Sequence, residues 1–229
     1  MNSRRKFLKT SLLGVAATTL PGPLVVQSSE KPPRVLILGD SISIGYFPFV
    51  REMMNEIALV SRPFSPDGSP ENCQGTTNGV VTIDRWIGQT KWDIIHFNFG
   101  LHDIKHVNPE TGEDSRDSND PHQADLKQYK MNLTEIVKKL KNTGAQLIFA
   151  TTTPYPDTVI SPMRLPGMSA KYNKVAKKIM KRNGVVINDL YGLVLPQMRE
   201  LQLENNVHFT EGGYIVLGKR VTDEILKLL

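Results

Sequence analysis

The sequence predicts an α/β fold, a three-layer α/β/α sandwich around a parallel sheet of about five strands. From residue 34 to the C-terminus, short and almost wholly apolar runs alternate with amphipathic stretches. Strands of this kind are typical of parallel sheets whose two faces are both covered by helices. The 229 residues suit one domain, and a content of 39% hydrophobic and 22% charged residues is that of a soluble globular protein.

The first half of the domain contains three predicted strands and two predicted helices. Residues 35–38 (VLIL) form a short β-rich run that ends at a glycine, and residues 47–57 follow as an amphipathic helix. Residues 58–60 (ALV) are predicted as a second, short strand. Residues 77–86 are predicted as a helix, and the run WDIIHFNF over 92–99 as a buried strand.

The second half repeats the alternation. Residues 126–140 place apolar side chains on one helical face, and lysines at the C-terminal end complement the helix dipole. The run AQLIFA over 145–150 is predicted as the fourth strand, and residues 169–181 as the next helix. Residues 185–187 (VVI) and 213–228 complete the pattern as the last strand and the last helix.

Residues 1–30 are predicted to be an export signal and residues 31–229 the mature domain. Arg4 and Arg5 form a twin-arginine pattern, which an apolar run and a Pro-Gly-Pro breaker follow. The apolar run is shorter than the about 20 residues that a membrane span needs. We therefore expect recognition by the twin-arginine export machinery, no stable membrane span in the mature chain, and a periplasmic or secreted location.

Charge and cysteine content narrow the function classes. Four of the 28 Lys and Arg residues lie in the first nine positions, which leaves 24 basic against 23 acidic residues in the rest of the chain. Nucleic-acid-binding domains carry a marked basic excess, so we expect no nucleic-acid partner. The single cysteine, Cys73, excludes an intrachain disulfide, and without a basic neighbour it is expected to be a loop or core residue.

Ser41 and His208 are the predicted nucleophile and base. Ser41 follows the first strand in Gly39-Asp40-Ser41, on a turn where its hydroxyl would project over the edge of the sheet at which ligands bind in such folds. A serine nucleophile needs a base within hydrogen-bond reach. Of the five histidines, His208 is the best candidate, because it lies between the last strand region and the final helix, whose expected N-cap is Thr210.

Taken together, the motifs resemble those of the SGNH (GDSL-type) hydrolase family. In chain order they are Gly39-Asp40-Ser41, Gly75, Gly100-Leu101-His102-Asp103 and Asn205-x-x-His208. The resemblance implies a flavodoxin-like fold and an acyl-enzyme mechanism in which Ser41 attacks an ester carbonyl and His208 takes its proton. It also implies an oxyanion hole formed by the backbone N–H groups of Ser41 and Gly75 with the side chain of His102.

Two positions depart from the family's pattern. His102 stands where the family has asparagine, and a neutral imidazole can donate one hydrogen bond in its place. Asn205 stands where the family has its acid, and an amide can orient His208 but cannot stabilise an imidazolium as a carboxylate does. Three interpretations remain open: Asn205 or a backbone carbonyl orients His208, Glu204 or Asp189 supplies a carboxylate, or the protein is a weak enzyme or a binding relic.

The expected function is hydrolysis of a small acyl ester, acetyl above all, on a carbohydrate, so the partner is a small-molecule or polysaccharide ester. The segment 104–125 is expected to overhang the site and is polar, whereas a long-chain lipase needs a broad apolar lid. The rival function is that of a catalytically weak or inactive carbohydrate-binding protein, which Asn205 favours. We expect no cofactor, and no metal because fewer than four ligands converge for zinc.

Overall fold

The structure, a computed structural model, describes residues 31–159 and 161–229, so the predicted export signal lies outside the described residues. Its centre is a sheet of five parallel strands in the order β2-β1-β3-β4-β5. The strands are β1 (Arg34–Leu38), β2 (Leu59–Ser61), β3 (Ile94–Phe97), β4 (Gln146–Ala150) and β5 (Val186–Asn188). The predicted fold class is therefore confirmed.

Helices cover the sheet as two separately packed groups. The helices are α1 (Ser41–Met53), α2 (Thr76–Ile87), α3 (Leu101–Ile104), α4 (Leu126–Lys141), α5 (Met168–Asn183), α6 (Leu190–Val194), α7 (Met198–Leu201) and α8 (Glu211–Leu226). Helix α1 packs on α8, whereas α2 and α5 both pack on α4. Residues 35–38 of β1 are at most 1% exposed, which is the burial that two helical layers produce. Within the described ranges, no helix is long and apolar enough to cross a membrane.

Helix α1 begins at Ser41, six residues before the predicted start. Asp40 caps it, because its carboxylate accepts a hydrogen bond from the Ile42 N–H at 3.0 Å. Gly45 in the first turns weakens the local helix propensity, but a Cβ there would lie 2.1 Å from the ring of Tyr214 in α8. Close packing on α8 thus stabilises a turn that local propensity does not predict, and it makes Ser41 a helix N-terminal residue.

The sheet order places the loops that follow β1 and β3 side by side. The chain leaves β1 towards β2 on one side and later returns to β3 on the other, so β1 lies at a topological switch point. In open α/β sheets the crevice outside the carboxyl ends of the strands at such a point binds ligands. Ser41 follows β1 and His102 follows β3, so both lie at this crevice.

The polar segment after α3 is a folded loop rather than a structureless one. Two antiparallel bridges, His106↔His122 and Val107↔Asp114, close it. Lys105 forms an ion pair with Asp114. Burial lowers the pKa of His102, and the negative charge of Asp114 offsets part of that lowering. The loop therefore lies beside the third motif, as expected, and presents charged groups there.

Candidate active site

Ser41 and His208 are in hydrogen-bonding contact although 167 positions separate them in the chain. The Nε2 atom of His208 lies 2.9 Å from the Oγ atom of Ser41. His208 lies on a hairpin over residues 202–209, which the Gln202↔Phe209 bridge and a 3.0 Å hydrogen bond from the Leu203 N–H to the His208 carbonyl close. The hairpin thus holds the imidazole over the N-terminus of α1.

Asn206, and not Asn205, is hydrogen-bonded to His208. Its Oδ1 lies 2.8 Å from Nδ1 of His208 and also accepts the His208 backbone N–H at 3.1 Å. With Nδ1 as donor to this oxygen, Nε2 keeps its lone pair for the Ser41 hydroxyl, which is the tautomer that a general base requires. Asn205 is exposed and has a left-handed backbone, φ 54°, so the turn presents the next side chain to the imidazole.

Asp189 and Glu204 are the two carboxylates that the sequence left open as acid partners of His208, and neither is hydrogen-bonded to its ring. Asp189 caps α6, and its carboxylate accepts hydrogen bonds from Lys177 at 2.8 Å and Thr151 at 2.9 Å. Glu204 is exposed on the 202–209 hairpin. Among the residues that the structure describes, the side-chain partners of the His208 ring are the amide of Asn206 and the hydroxyl of Ser41, so an amide takes the position next to Nδ1.

The surroundings of His208 favour its neutral form. Partial burial lowers the pKa of His208, and the positive charge of Arg164 lowers it further. A base whose pKa is lowered stays unprotonated to a lower pH. The rate profile of ester hydrolysis should therefore have its acidic limb below the usual histidine value of about 6.5.

The effect of Asn206 on this limb can be measured with one substitution and a neighbouring control. Asn206→Asp should move the acidic limb to higher pH by about one unit or more, because a carboxylate at Nδ1 favours the imidazolium. For the same reason it should raise turnover on the plateau by roughly tenfold. The measurement is the pH dependence of kcat/KM and kcat for 4-nitrophenyl acetate.

Asn205→Asp is the matched control for this prediction. It adds the same charge one residue earlier, at an exposed position, and should leave the limb within a few tenths of a unit of wild type. A larger shift from Asn205→Asp than from Asn206→Asp would return the acid's position to Asn205.

Gly75 lies at the N-terminus of α2, next to α3. Asp103 fixes this arrangement, because its Oδ1 accepts the Thr76 N–H at 2.8 Å and the Thr76 hydroxyl. A Cβ at position 75 would lie 3.1 Å from the Asp103 carboxyl group, tighter than an ordinary van der Waals contact, so the glycine allows this close approach without displacing Asp103. The Cys73 N–H donates to the Gly39 carbonyl at 3.2 Å and ties this loop to the one that carries Ser41. Asp103 is the last residue of the third motif, and its positioning role could have been suspected from that.

His102 lies in the single turn of α3, which follows β3 through Gly100. Gly100 has φ 152°, and a Cβ there would lie 2.2 Å from Oγ1 of Thr152, so only glycine fits this turn. Burial lowers the pKa of His102 to about 4, and the charges of Lys105 and Arg164 act in the same direction. The imidazole is therefore neutral at neutral pH and has one N–H to donate.

Two further residues complete the surroundings. Arg164 is buried, and its Nε donates to the Leu101 carbonyl at 3.1 Å, next to His102. Nothing in the sequence pointed to Arg164, because it lies in a loop with no motif. The thiol of Cys73 is buried and its pKa is raised to about 12, mainly by that burial, so Cys73 is a core residue and no competitor for the nucleophile.

The geometry combines a serine hydroxyl, a neutral base in contact with it and two candidate donors on neighbouring loops, which suits acyl transfer. Residues 37–216 match the GDSL-like lipase/acylhydrolase family. No curated protein is significantly similar to the chain in sequence.

Solved structures with this fold include a lipase/acylhydrolase from Enterococcus faecalis, 20% identical with a TM-score of 0.65 over 84% of this chain and 95% of that one. An acetyl xylan esterase is 13% identical with a TM-score of 0.64, over 84% of this chain and 99% of that one. An acetylxylan esterase from Geobacillus stearothermophilus is 18% identical with a TM-score of 0.63, over 84% and 94%. At these identities the likeness shows the fold alone.

Proposed function

This chain belongs to the GDSL-like lipase/acylhydrolase family and is a carboxylic-ester hydrolase, and from that premise we propose that it removes acetyl groups from a carbohydrate after export from the cytoplasm. The proposed mechanism rests on the 2.9 Å contact between Oγ of Ser41 and Nε2 of His208. The other ring nitrogen, Nδ1, is hydrogen-bonded to Oδ1 of Asn206. In this proposal Ser41 is the nucleophile, His208 the general base and acid, and Asn206 the residue that orients the base.

Acylation begins when Oγ of Ser41 attacks the ester carbonyl carbon and its proton passes to Nε2 of His208. The carbonyl oxygen becomes negatively charged and accepts hydrogen bonds from the backbone N–H groups of Ser41 and Gly75 and from the neutral ring of His102. As the first residue of α1, Ser41 has an N–H without an intrahelical acceptor, so this donor is available. The bond to the alcohol oxygen then breaks, and His208 gives its proton to that oxygen.

Deacylation repeats these steps with water. His208, neutral again, takes a proton from a water molecule whose oxygen attacks the acyl carbon of the Ser41 ester. The same three donors bind the second oxyanion. When it collapses, the bond to Oγ breaks, His208 returns the proton to Ser41, and the carboxylic acid leaves.

Three observations support acetyl on a carbohydrate as the substrate. Two of the three solved structures named above are acetyl xylan esterases. The loop beside the site presents charged side chains such as Lys105 and Asp114, whereas a long-chain lipase needs a continuous apolar cover. The twin-arginine pattern at Arg4 and Arg5 supports export, and polysaccharide esters are met outside the cytoplasm.

The test combines a small ester with a serine-directed phosphonate. Protein corresponding to the mature domain should hydrolyse 4-nitrophenyl acetate much faster than 4-nitrophenyl octanoate. The phosphonate should abolish this activity and appear by mass spectrometry on the peptide that contains Ser41. Absence of both hydrolysis and adduct would instead favour an inactive carbohydrate-binding protein, and an adduct on another serine would overturn the assignment of Ser41.

A further inference from the structure

A large cleft shares the 202–209 hairpin with the site, because residues 202–205 line the cleft and His208 of the same hairpin contacts Ser41. The chemistry described so far does not use this cleft. The cleft has a volume of about 970 Å³, within the range of small-molecule sites and far larger than an acetyl group needs. Its walls are the segment after β4, the α6–α7 region and residues 202–205 of the hairpin.

Two segments connect this cleft to the nucleophile and the base. The hairpin presents Leu203, Glu204 and Asn205 to the cleft. Three residues further on, the same hairpin holds His208 against Ser41. The segment after β4 is the second connection: Thr153 lines a small cavity together with Asp40, the residue before Ser41, and the next two residues line the cleft.

The chemistry of ester cleavage determines which part of a substrate would face this cleft. His208 must protonate the leaving alcohol oxygen, so that oxygen lies on the side of the 202–209 hairpin. The carbonyl oxygen must face the oxyanion donors, which are the N–H groups of Ser41 and Gly75 and the ring of His102. A leaving alcohol longer than one sugar unit would therefore extend along the hairpin, whose residues 202–205 form a wall of the cleft.

The lining of the cleft suits a neutral, hydroxyl-rich ligand with apolar faces. Tyr191 and the 50% exposed side chain of Leu195 offer apolar surface. Asp157, Arg199 and Glu204 lie among these residues, with two negative charges against one positive. These charged residues interrupt the apolar wall that a long acyl chain needs, and the excess of one negative charge disfavours an anionic ligand.

We propose that this cleft binds the sugar chain of the leaving alcohol, so that the substrate is an acetylated oligosaccharide or polysaccharide and not an acetylated monosaccharide. The inference rests on the proposed function, since it extends the site of Ser41 and His208 to further sugar units. Sugar rings would lie with their apolar faces on Tyr191 and Leu195 and with hydroxyl groups on the polar residues between them.

The experiment compares substrates of increasing length in wild-type protein and one variant. The probes are 4-nitrophenyl acetate and chemically acetylated methyl xyloside, xylobiose and xylotetraose. In wild type, kcat/KM per acetyl group should rise from methyl xyloside to xylotetraose. In Tyr191→Ala it should fall on acetylated xylotetraose by roughly tenfold more than on 4-nitrophenyl acetate, because one aromatic contact is lost.

A control variant and a binding measurement separate this inference from the proposed function. Met131→Ala removes an exposed apolar side chain on α4, a residue that is 58% exposed and does not line the cleft, and should leave both rates at the wild-type level. Calorimetric titration of wild type with unacetylated xylotetraose should show binding that Tyr191→Ala weakens, and this measurement needs no catalysis. Leu195→Ala provides the same comparison if Tyr191→Ala does not fold.

The outcomes are distinct. If wild-type protein did not hydrolyse 4-nitrophenyl acetate, the proposed function would be contradicted. Binding of xylotetraose to the same protein would still support the cleft as a site for sugar chains. Equal kcat/KM along the sugar series without binding would overturn the cleft assignment and leave the esterase intact. A rise in rate with acyl length, abolished by Tyr191→Ala, would also overturn it and assign the cleft to the acyl chain.

Discussion

Replacement of Ser41 by alanine is expected to lower kcat for 4-nitrophenyl acetate by about 10⁴- to 10⁶-fold, the range seen when a serine nucleophile is removed from an intact site. The only atom lost is the Oγ that His208 contacts at 2.9 Å. Ser41 is partly exposed at the N-terminus of α1, and the cap of this helix comes from Asp40, so the free energy of unfolding should change by less than about 1 kcal/mol.

His208→Ala should lower kcat to a similar extent, and the double variant should be scarcely slower than either single one. Residues that act as one unit in a mechanism have grossly non-additive effects. Ser61→Ala, a serine on β2 outside the site, is the matched control and should retain wild-type turnover. If the losses from Ser41→Ala and His208→Ala multiplied, the two residues would belong to different processes.

His102→Ala is expected to lower kcat by about 10²–10³-fold with little change in KM, because the lost hydrogen bond forms only when the carbonyl oxygen becomes charged. Partial burial lowers the pKa of the His102 ring to about 4, so it donates as a neutral imidazole. The loss should therefore be nearly constant from pH 5.5 to 8. Steady-state kinetics of both variants and wild type across this range provide the measurement.

His102→Asn is the matched variant, because it restores the amide donor of the family's third motif. It should recover most of the activity that His102→Ala loses. Equal damage from both substitutions would instead point to packing against the neighbouring loop as the role of the ring. A thermal melt separates the two cases, since loss of a hydrogen bond to the transition state leaves Tm unchanged.

Only some of the residues of the candidate site could be identified from the sequence. Ser41 and His208 could be paired from the sequence, because Ser41 follows a parallel strand, His208 lies in the loop before the last helix, and loops of both kinds were expected at one edge of the sheet. Asn206 could not be found in this way. Its contact with His208 depends on the left-handed backbone at Asn205, and one residue of a turn decides which of two neighbouring asparagines faces the ring.

Arg164 and the cleft lie still further from what local sequence can predict. Arg164 reaches the Leu101 carbonyl across 63 positions, and this contact exists only because the loop after β4 folds back on α3. The wall of the cleft includes α6 and α7, helices of five and four residues that are too short to show helical periodicity. Export through the twin-arginine route stays a prediction from the first thirty residues.

By itself the sequence predicted the α/β class, the succession of strands and long helices along the chain, and Ser41 and His208 as a candidate pair, because apolar periodicity and short motifs are local properties of the chain. The tertiary structure alone decided where α1 begins, which asparagine holds His208, and how Asp103 joins the Gly75 loop to α3. These features depend on close packing and on single backbone torsions. They arise from contacts between segments far apart in the chain, which no local pattern encodes.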